Sequence, residues 1–158
     1  MASKRDQIKM TEEEVLDLLD HERVMICATN GKDGFPHLMP LWFVVRQGTI
    51  WAWTFSKSQK VRNLERDPRA TIQVEAGEGV YSELRGVMLK TEVRLHRETP
   101  QVAELGEEIF TRYAPPGVEE LAPEVKAMVA KQAEKRVAME FVELERATWD
   151  HRKLGGVY

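Results

Sequence analysis

The sequence predicts a small, mainly β domain: a barrel of six to seven antiparallel strands with a few peripheral helices. Three observations carry that expectation. Apolar or alternating runs follow one another from Val24 to Leu95, separated by Asn-Gly, Gln-Gly and Gly-Glu-Gly turn chemistry. Helical periodicity is confined to the N-terminal flank, a short segment after Ser58 and an insertion over about 99–135. Helix and strand do not alternate as a doubly wound sheet requires, and Gly77-Glu-Gly79 lacks the spacing and following helix of a dinucleotide fingerprint.

Global properties narrow the class. A length of 158 residues suits one domain with a real core, read here as residues 10–158 after a charged, loose stretch over 1–9. A formal net charge of -3 and no basic tail argue against nucleic acid or an anionic membrane as partner. Cys27 is the single cysteine, so no internal disulfide can form, and its apolar setting reads as core packing. No apolar run approaches the roughly 20 residues of a membrane span, and the polar N-terminus does not read as a signal peptide. A soluble, cytoplasmic protein is expected.

The elements follow in order. Thr11 and Glu14 form a capping box, Met10 and Val15 a hydrophobic staple, and Val15, Leu16, Leu18 and Leu19 the apolar face of a helix to about Asp20. Val24 to Thr29 reads as a buried strand, and Asn30 to Gly34 as the turn into the next. Phe35 to Val45 is apolar almost throughout, so both faces of that strand should be covered, one by core and the other by a partner or ligand. Pro40 cannot donate to a ladder and marks an edge, a bulge or a backbone that faces something other than a strand, such as a flat cofactor. Strands then span 49–54 and 70–75. Leu84 to Leu95 places Val87, Leu89, Val93 and Leu95 on the core side and Met88, Lys90, Glu92 and Arg94 on the wet side. Val102, Leu105, Ile109 and Phe110 stripe one helix, and Pro115-Pro-Gly117 separates it from a second that starts near Pro123. Strands return over about 136–144 and 147–150.

The segment from Trp51 to Pro68 holds the chemical signal. A strand ends at Thr54, Ser56 or Ser58 offers a cap, and Val61 and Leu64 carry a short helix that Asp67-Pro68 ends. At 100° per residue, Lys57 and Lys60 share the face of Val61 and Leu64, so both lysines should lie toward the body of the protein. Lysines at the positive end of a helix dipole lack an obvious partner unless an anion sits there. Free N–H groups, two serine hydroxyls and two ammonium groups suit a phosphate-bearing ligand. The competing reading is two lysines extending along an apolar face into water.

No Gly-x-Ser-x-Gly elbow, cysteine pair, His-Glu-x-x-His or phosphate-binding P-loop is present, and the four histidines are too scattered for a metal site. Chemistry here therefore calls for a bound cofactor. His37 and His151 are the weak candidates for a proton donor; no residue is a compelling one.

Three stretches carry a resemblance. Asp33-Gly-Phe-Pro-His-Leu-Met-Pro-Leu-Trp42, then Thr54 to Thr71 with its Lys-x-x-Lys-x-x-Asn-Leu-x-Arg-Asp-Pro-Arg core, then Leu84-Arg-Gly-Val87, together resemble the pyridoxamine 5′-phosphate oxidase-like split β-barrels. More narrowly they resemble the flavin/deazaflavin oxidoreductases, many of which use coenzyme F420. The resemblance covers about residues 12–151. It implies an FMN-binding type of split barrel, dimeric, with the cofactor ring across the subunit interface. The ring edge would lie against the strand of His37, Met39, Pro40 and Leu41. The phosphate end would fall at Thr54, Ser56, Lys57, Ser58 and Lys60, which coincides with the anion site reasoned from the helix dipole. Arg85 and Gly86, with Trp149 and His151 of the C-terminal segment, would approach cofactor or substrate from one subunit or the other.

The chain departs from true pyridoxamine phosphate oxidases. It lacks their arginine-rich substrate grip and has Gly86 where they carry glutamine, so oxidation of a vitamin B6 phosphate is disfavoured. The glycine would open room for a differently seated cofactor. The expectation is an F420-dependent reductase that transfers hydride to an electron-poor unsaturated small molecule, with Trp42, Trp51 or Trp53 as an apolar wall. The rivals are an FMN-dependent oxidoreductase of the same fold and a non-enzymatic flavin- or tetrapyrrole-binding protein.

Overall fold

Residues 3–156 are described by a computed structural model. The chain opens with two helices, α1 (Lys4–Gln7) and α2 (Glu12–His21), and then builds strands β1 (Met25–Asn30), β2 (Pro36–Leu41), β3 (Val44–Arg46) and β4 (Thr49–Phe55). Helix α3 (Gln59–Arg66) leads into β5 (Arg69–Ala76) and β6 (Arg85–His96). Helices α4 (Thr99–Arg112) and α5 (Pro123–Ala133) precede β7 (Arg136–Asp150). The seven strands form one sheet in the order β2-β1-β5-β6-β7-β4-β3, with every pairing antiparallel. This is a split β-barrel with peripheral helices, as expected.

Alternation decides which side chains fill the interior. In β6, Val87, Leu89, Thr91 and Val93 are buried while Lys90, Glu92 and Arg94 are exposed, the period of two that the sequence displays. The main core gathers Met25, Cys27, Ile50, Ile72, Met139 and Phe141 from the strands with Val15, Leu18 and Leu19 of α2. A second core lies on the other face of β4 and β7, where Trp53 and Ala138 meet Val102, Leu105 and Ile109 of α4 and Val129 of α5. Gly106 lets α4 approach Trp53: a Cβ there would come within 2.5 Å of the indole.

Three expectations change. Of the stretch 1–9, expected to be loose, residues 1–2 lie outside the described residues and residues 3–9 include α1, capped by Ser3 with Asp6 and docked where Asp150 N–H donates to Ile8 C=O at 2.8 Å. Pairing of β4 with β7 ends at Ile50↔Phe141, which leaves the later edge of β7 open to this segment. The apolar run from Phe35 to Val45 is two strands. Phe43 between them is fully buried, and its N–H donates to the Tyr113 hydroxyl at 3.0 Å, so the chain turns in toward α4 there. The two C-terminal strands are one, β7, in which Leu144 bulges out between Glu143↔Thr91 and Glu145↔Lys90.

The apolar character of β2 is explained by position. It is an edge strand paired with β1 alone, and Pro40 is tolerated there opposite Ile26. Apolar side chains on it and at its two ends are exposed: Leu38 57 % on the strand, with Phe35 75 % before it and Trp42 49 % after it.

Candidate functional site

Strand β4 delivers the chain into Ser56-Lys57-Ser58 and then α3. Ser56 N–H donates to Lys135 C=O at 2.9 Å and Ser58 N–H to Phe55 C=O at 3.0 Å, which fixes the turn. Ser58 is the N-cap residue in backbone conformation, yet its hydroxyl makes no cap bond; Oγ is buried and without a partner. The expected serine cap is therefore absent. Val61 at the third helical position cannot return a side-chain bond as Glu14 does to Thr11 at the start of α2. The first N–H groups of α3 keep their unmet donors at the positive end of the dipole.

The lysines separate. Lys60 is 6 % exposed and its ammonium donates to Thr54 Oγ1 at 3.1 Å. Burial, the largest cause, pushes its pKa down, while the nearby Cys27 thiol favours its charged form. Lys57 precedes α3 and is exposed. The expectation that both lie toward the body of the protein holds for Lys60 only, because residue 57 is not in the helix and does not follow its 100° spacing. Ser56 is half-buried and Thr54 is buried.

His37 lies across from α3. It shares a cleft of about 390 Å³ with Gln59 and Asn63, closed on the other side by Asp33 and Phe35 of the β1–β2 turn. Asn63 anchors this arrangement by donating to Thr29 Oγ1 at 3.0 Å. Among the described residues, three buried side-chain polar atoms lack a partner: His37 Nδ1, Ser58 Oγ and Arg136 Nε. All three border the start of α3, since Arg136 is the β7 residue opposite Phe55, just before the turn. Buried donors and acceptors are almost always paired, so each of these three atoms is open to a further partner.

The remaining expected residues spread out. Met39 and Pro40 are exposed on β2, and Leu41 packs partly against the core. Arg85 and Gly86 open β6 opposite Asp150 and Trp149, whereas Thr54 pairs with Val137, next to the partner of His96 at the far end of β6. Roughly 30 Å of strand separates the two groups within one chain. Arg85 donates to Glu83 C=O at 3.3 Å and lines a different cleft with Arg152, Glu14 and His21. His151 Nδ1 sits 3.1 Å from Tyr81 C=O and its ring lies 4.8 Å from that tyrosine.

Gly86 does not open room. A Cβ there would collide with Trp149 Cζ2 and meet the Val74 carbonyl oxygen at 2.7 Å, so the space is already filled by the indole of the same chain. The aromatic wall is also corrected. Trp53 belongs to the helix-side core and Trp51 stacks on His96 at 5.0 Å; only Trp42, stacked on Tyr113 at 4.4 Å, stands at an exposed face beside β2. Sequence reasoning missed Arg136, Gln59 and Asn63. Alternation places Arg136 on the face of Trp53 and Phe55, but only the β4–β7 register shows that it meets them.

These residues can hold an anion: open N–H groups, an orphaned hydroxyl, a solvent-facing ammonium at Lys57 and a buried one at Lys60 that has no carboxylate partner among the described residues. A phosphate-bearing cofactor fits that donor set. Cys27 is no nucleophile, since burial pushes its thiol up to about 12. No group of metal-ligating side chains occurs among the described residues. Another cleft, about 740 Å³, lies between α2, β3 and α4; four carboxylates, Asp20, Glu104, Glu107 and Glu108, against the single cation of Arg112 make it a poor place for an anion. No described helix is long and apolar enough to cross a membrane.

Comparison with known proteins places the chain. It is similar to the solved conserved hypothetical protein Rv2991 from Mycobacterium tuberculosis, with 36% identity, a TM-score of 0.87, and 99% of this chain and 95% of that one covered. A solved F420 reductase shares the fold at 20% identity and a TM-score of 0.63, covering 83% of this chain and 94% of that one. HutZ, a heme storage protein from Vibrio cholerae, does so at 14% identity and a TM-score of 0.66, covering 90% and 95%. No curated protein matches the chain. The profile described as pyridoxamine 5′-phosphate oxidase matches residues 11–149, nearly the whole domain, and the chain belongs to that family.

Proposed function

We propose that the chain is an F420-dependent reductase acting on an electron-poor unsaturated small molecule, as a homodimer with the cofactor at the subunit interface. The carrying observation is the start of α3, where Ser58 Oγ is buried without a partner and the helix has no side-chain cap. Lys57, Ser56 and the first N–H groups of α3 would hold the cofactor phosphate. Lys60 with Thr54 supports the turn from beneath and adds positive potential. The β2 backbone around His37 to Leu41, free of any strand on its outer side, would receive the ring edge.

The reduced deazaflavin supplies hydride chemistry; the chain positions the ring, excludes water and grips the anion. Two observations support the dimer: the exposed apolar side chains of β2, and the separation of Arg85, Gly86, Trp149 and His151 from α3. A second copy would return the latter group to the cofactor. The test is turnover: oxidation of reduced F420 with enones or quinones as acceptors. Tight binding with no turnover favours the carrier reading, which draws on the lack of a placed general acid. A matched assay with reduced FMN separates the runner-up, because FMN would use the same phosphate site.

A further inference from the structure

Arg136 carries an inference of its own. Its guanidinium carbon lies 4.5 Å from the Trp53 ring centroid and 4.2 Å from that of Phe55, so two aromatic rings hold the plane. Nε is buried without an acceptor, and Arg136 forms no ion pair and donates no side-chain bond among the described residues. Other part-buried arginines of this chain find carboxylates or carbonyls: Arg46 meets both oxygens of Glu108, and Arg112 the C=O groups of Leu19 and Glu22. Burial lowers the Arg136 pKa with no compensating acid nearby. The Arg136 charge also adds, as the smallest cause, to disfavouring the charge on Lys60, and in the β4–β7 register Arg136 lies opposite Phe55, one residue before the turn that begins at Ser56.

We propose that Arg136 is a ligand for a second anionic group, a carboxylate or phosphoryl beyond the first phosphate, of the molecule held at the start of α3. This rests on the proposed function and deepens it. A planar fork already fixed on Trp53 and Phe55 loses little freedom on binding and matches a carboxylate bidentately. Coenzyme F420 carries carboxylates beyond its phosphodiester, whereas FMN ends at its phosphate. Arg136 thus selects for the longer acidic tail.

The experiment compares three proteins, wild type, Arg136→Gln and Arg136→Lys, by fluorescence titration with tail-bearing F420 and with FMN. Thermal unfolding of each checks that the fold is kept. Expected is a loss of about ten- to hundredfold for F420 in Arg136→Gln, partial recovery in Arg136→Lys, and a change under about twofold for FMN. Equal losses for both cofactors, or none for F420, overturn the assignment while leaving the α3 site intact. If the wild type binds neither cofactor, the functional reading itself fails. If Arg136→Gln does not fold, Arg136→Met, which keeps the apolar stem between the rings, takes its place with the same expected selectivity.

Discussion

Replacing Ser58 by Ala should separate the stability of this protein from its binding. A serine at a helix N-cap ordinarily contributes about 0.5–2 kcal/mol through its side-chain bond to the helix N–H groups. Ser58 makes no such bond, and its buried hydroxyl has no other partner among the described residues. A buried unpaired polar group costs about 1–3 kcal/mol, part of which the alanine relieves. The variant should therefore unfold at the same temperature as wild type or up to about 4 °C higher, since about 1 kcal/mol shifts a domain of this size by 2–4 °C. Thr11 is the internal control: its hydroxyl accepts from Glu14 N–H at 3.2 Å and its own N–H donates to Glu14 Oε2 at 2.6 Å. Thr11→Ala should lower the melting temperature by about 2–4 °C. Binding should run the other way, with Ser58→Ala losing about tenfold in cofactor affinity for one charge-assisted bond and Thr11→Ala losing none. Calorimetry and fluorescence titration read both quantities. A fall in melting temperature equal to that of Thr11→Ala, or unchanged affinity, would refute the reasoning.

Other expectations are as direct. Lys60→Met should stabilise the cofactor-free protein by about 1 kcal/mol or leave it unchanged, since a buried cation without a carboxylate gives way to an apolar group of similar length. Burial lowers the Lys60 pKa from 10.5, so the unfolded chain holds the proton to higher pH and wild-type stability rises as pH climbs toward that value. The advantage of Lys60→Met over wild type should accordingly shrink as the pH rises toward 10.5 in thermal unfolding. Gly86→Ala should cost about 1–3 kcal/mol in urea unfolding, because its Cβ would press on Trp149 and the Val74 carbonyl. Leu38→Glu, on the exposed side of β2, should give a monomer by analytical ultracentrifugation and weaken cofactor binding with it; a dimer of unchanged affinity would remove β2 from the interface.

What could be read in advance follows from how local each signal is. The capping box at Thr11, the alternation of β6 and the Pro-Pro-Gly break between α4 and α5 are contained in a few neighbouring residues, and each appears where expected. The break at Trp42-Phe43 was hidden because it depends on Tyr113 and Arg112, about 70 positions away, which bind both backbone groups of Phe43. At the site, the Ser-Lys-Ser turn and the short helix were legible. The helical wheel misplaced Lys57 because the wheel applies only inside a helix, and α3 begins two residues later. Gly86 illustrates the same limit: only the register with Trp149 shows that its missing side chain makes room for an indole.

The central claim is that the turn from Ser56 to Ser58 and the start of α3 grasp the phosphate end of a flavin-like cofactor. Titration of the purified chain with oxidised coenzyme F420 and with FMN tests it most directly, with Lys57→Ala as the paired variant. Saturable binding of one F420 per chain, weakened about tenfold in the variant while the melting temperature holds, is the predicted result. Binding of neither cofactor, or F420 binding that Lys57→Ala and Ser58→Ala both leave untouched, would contradict it.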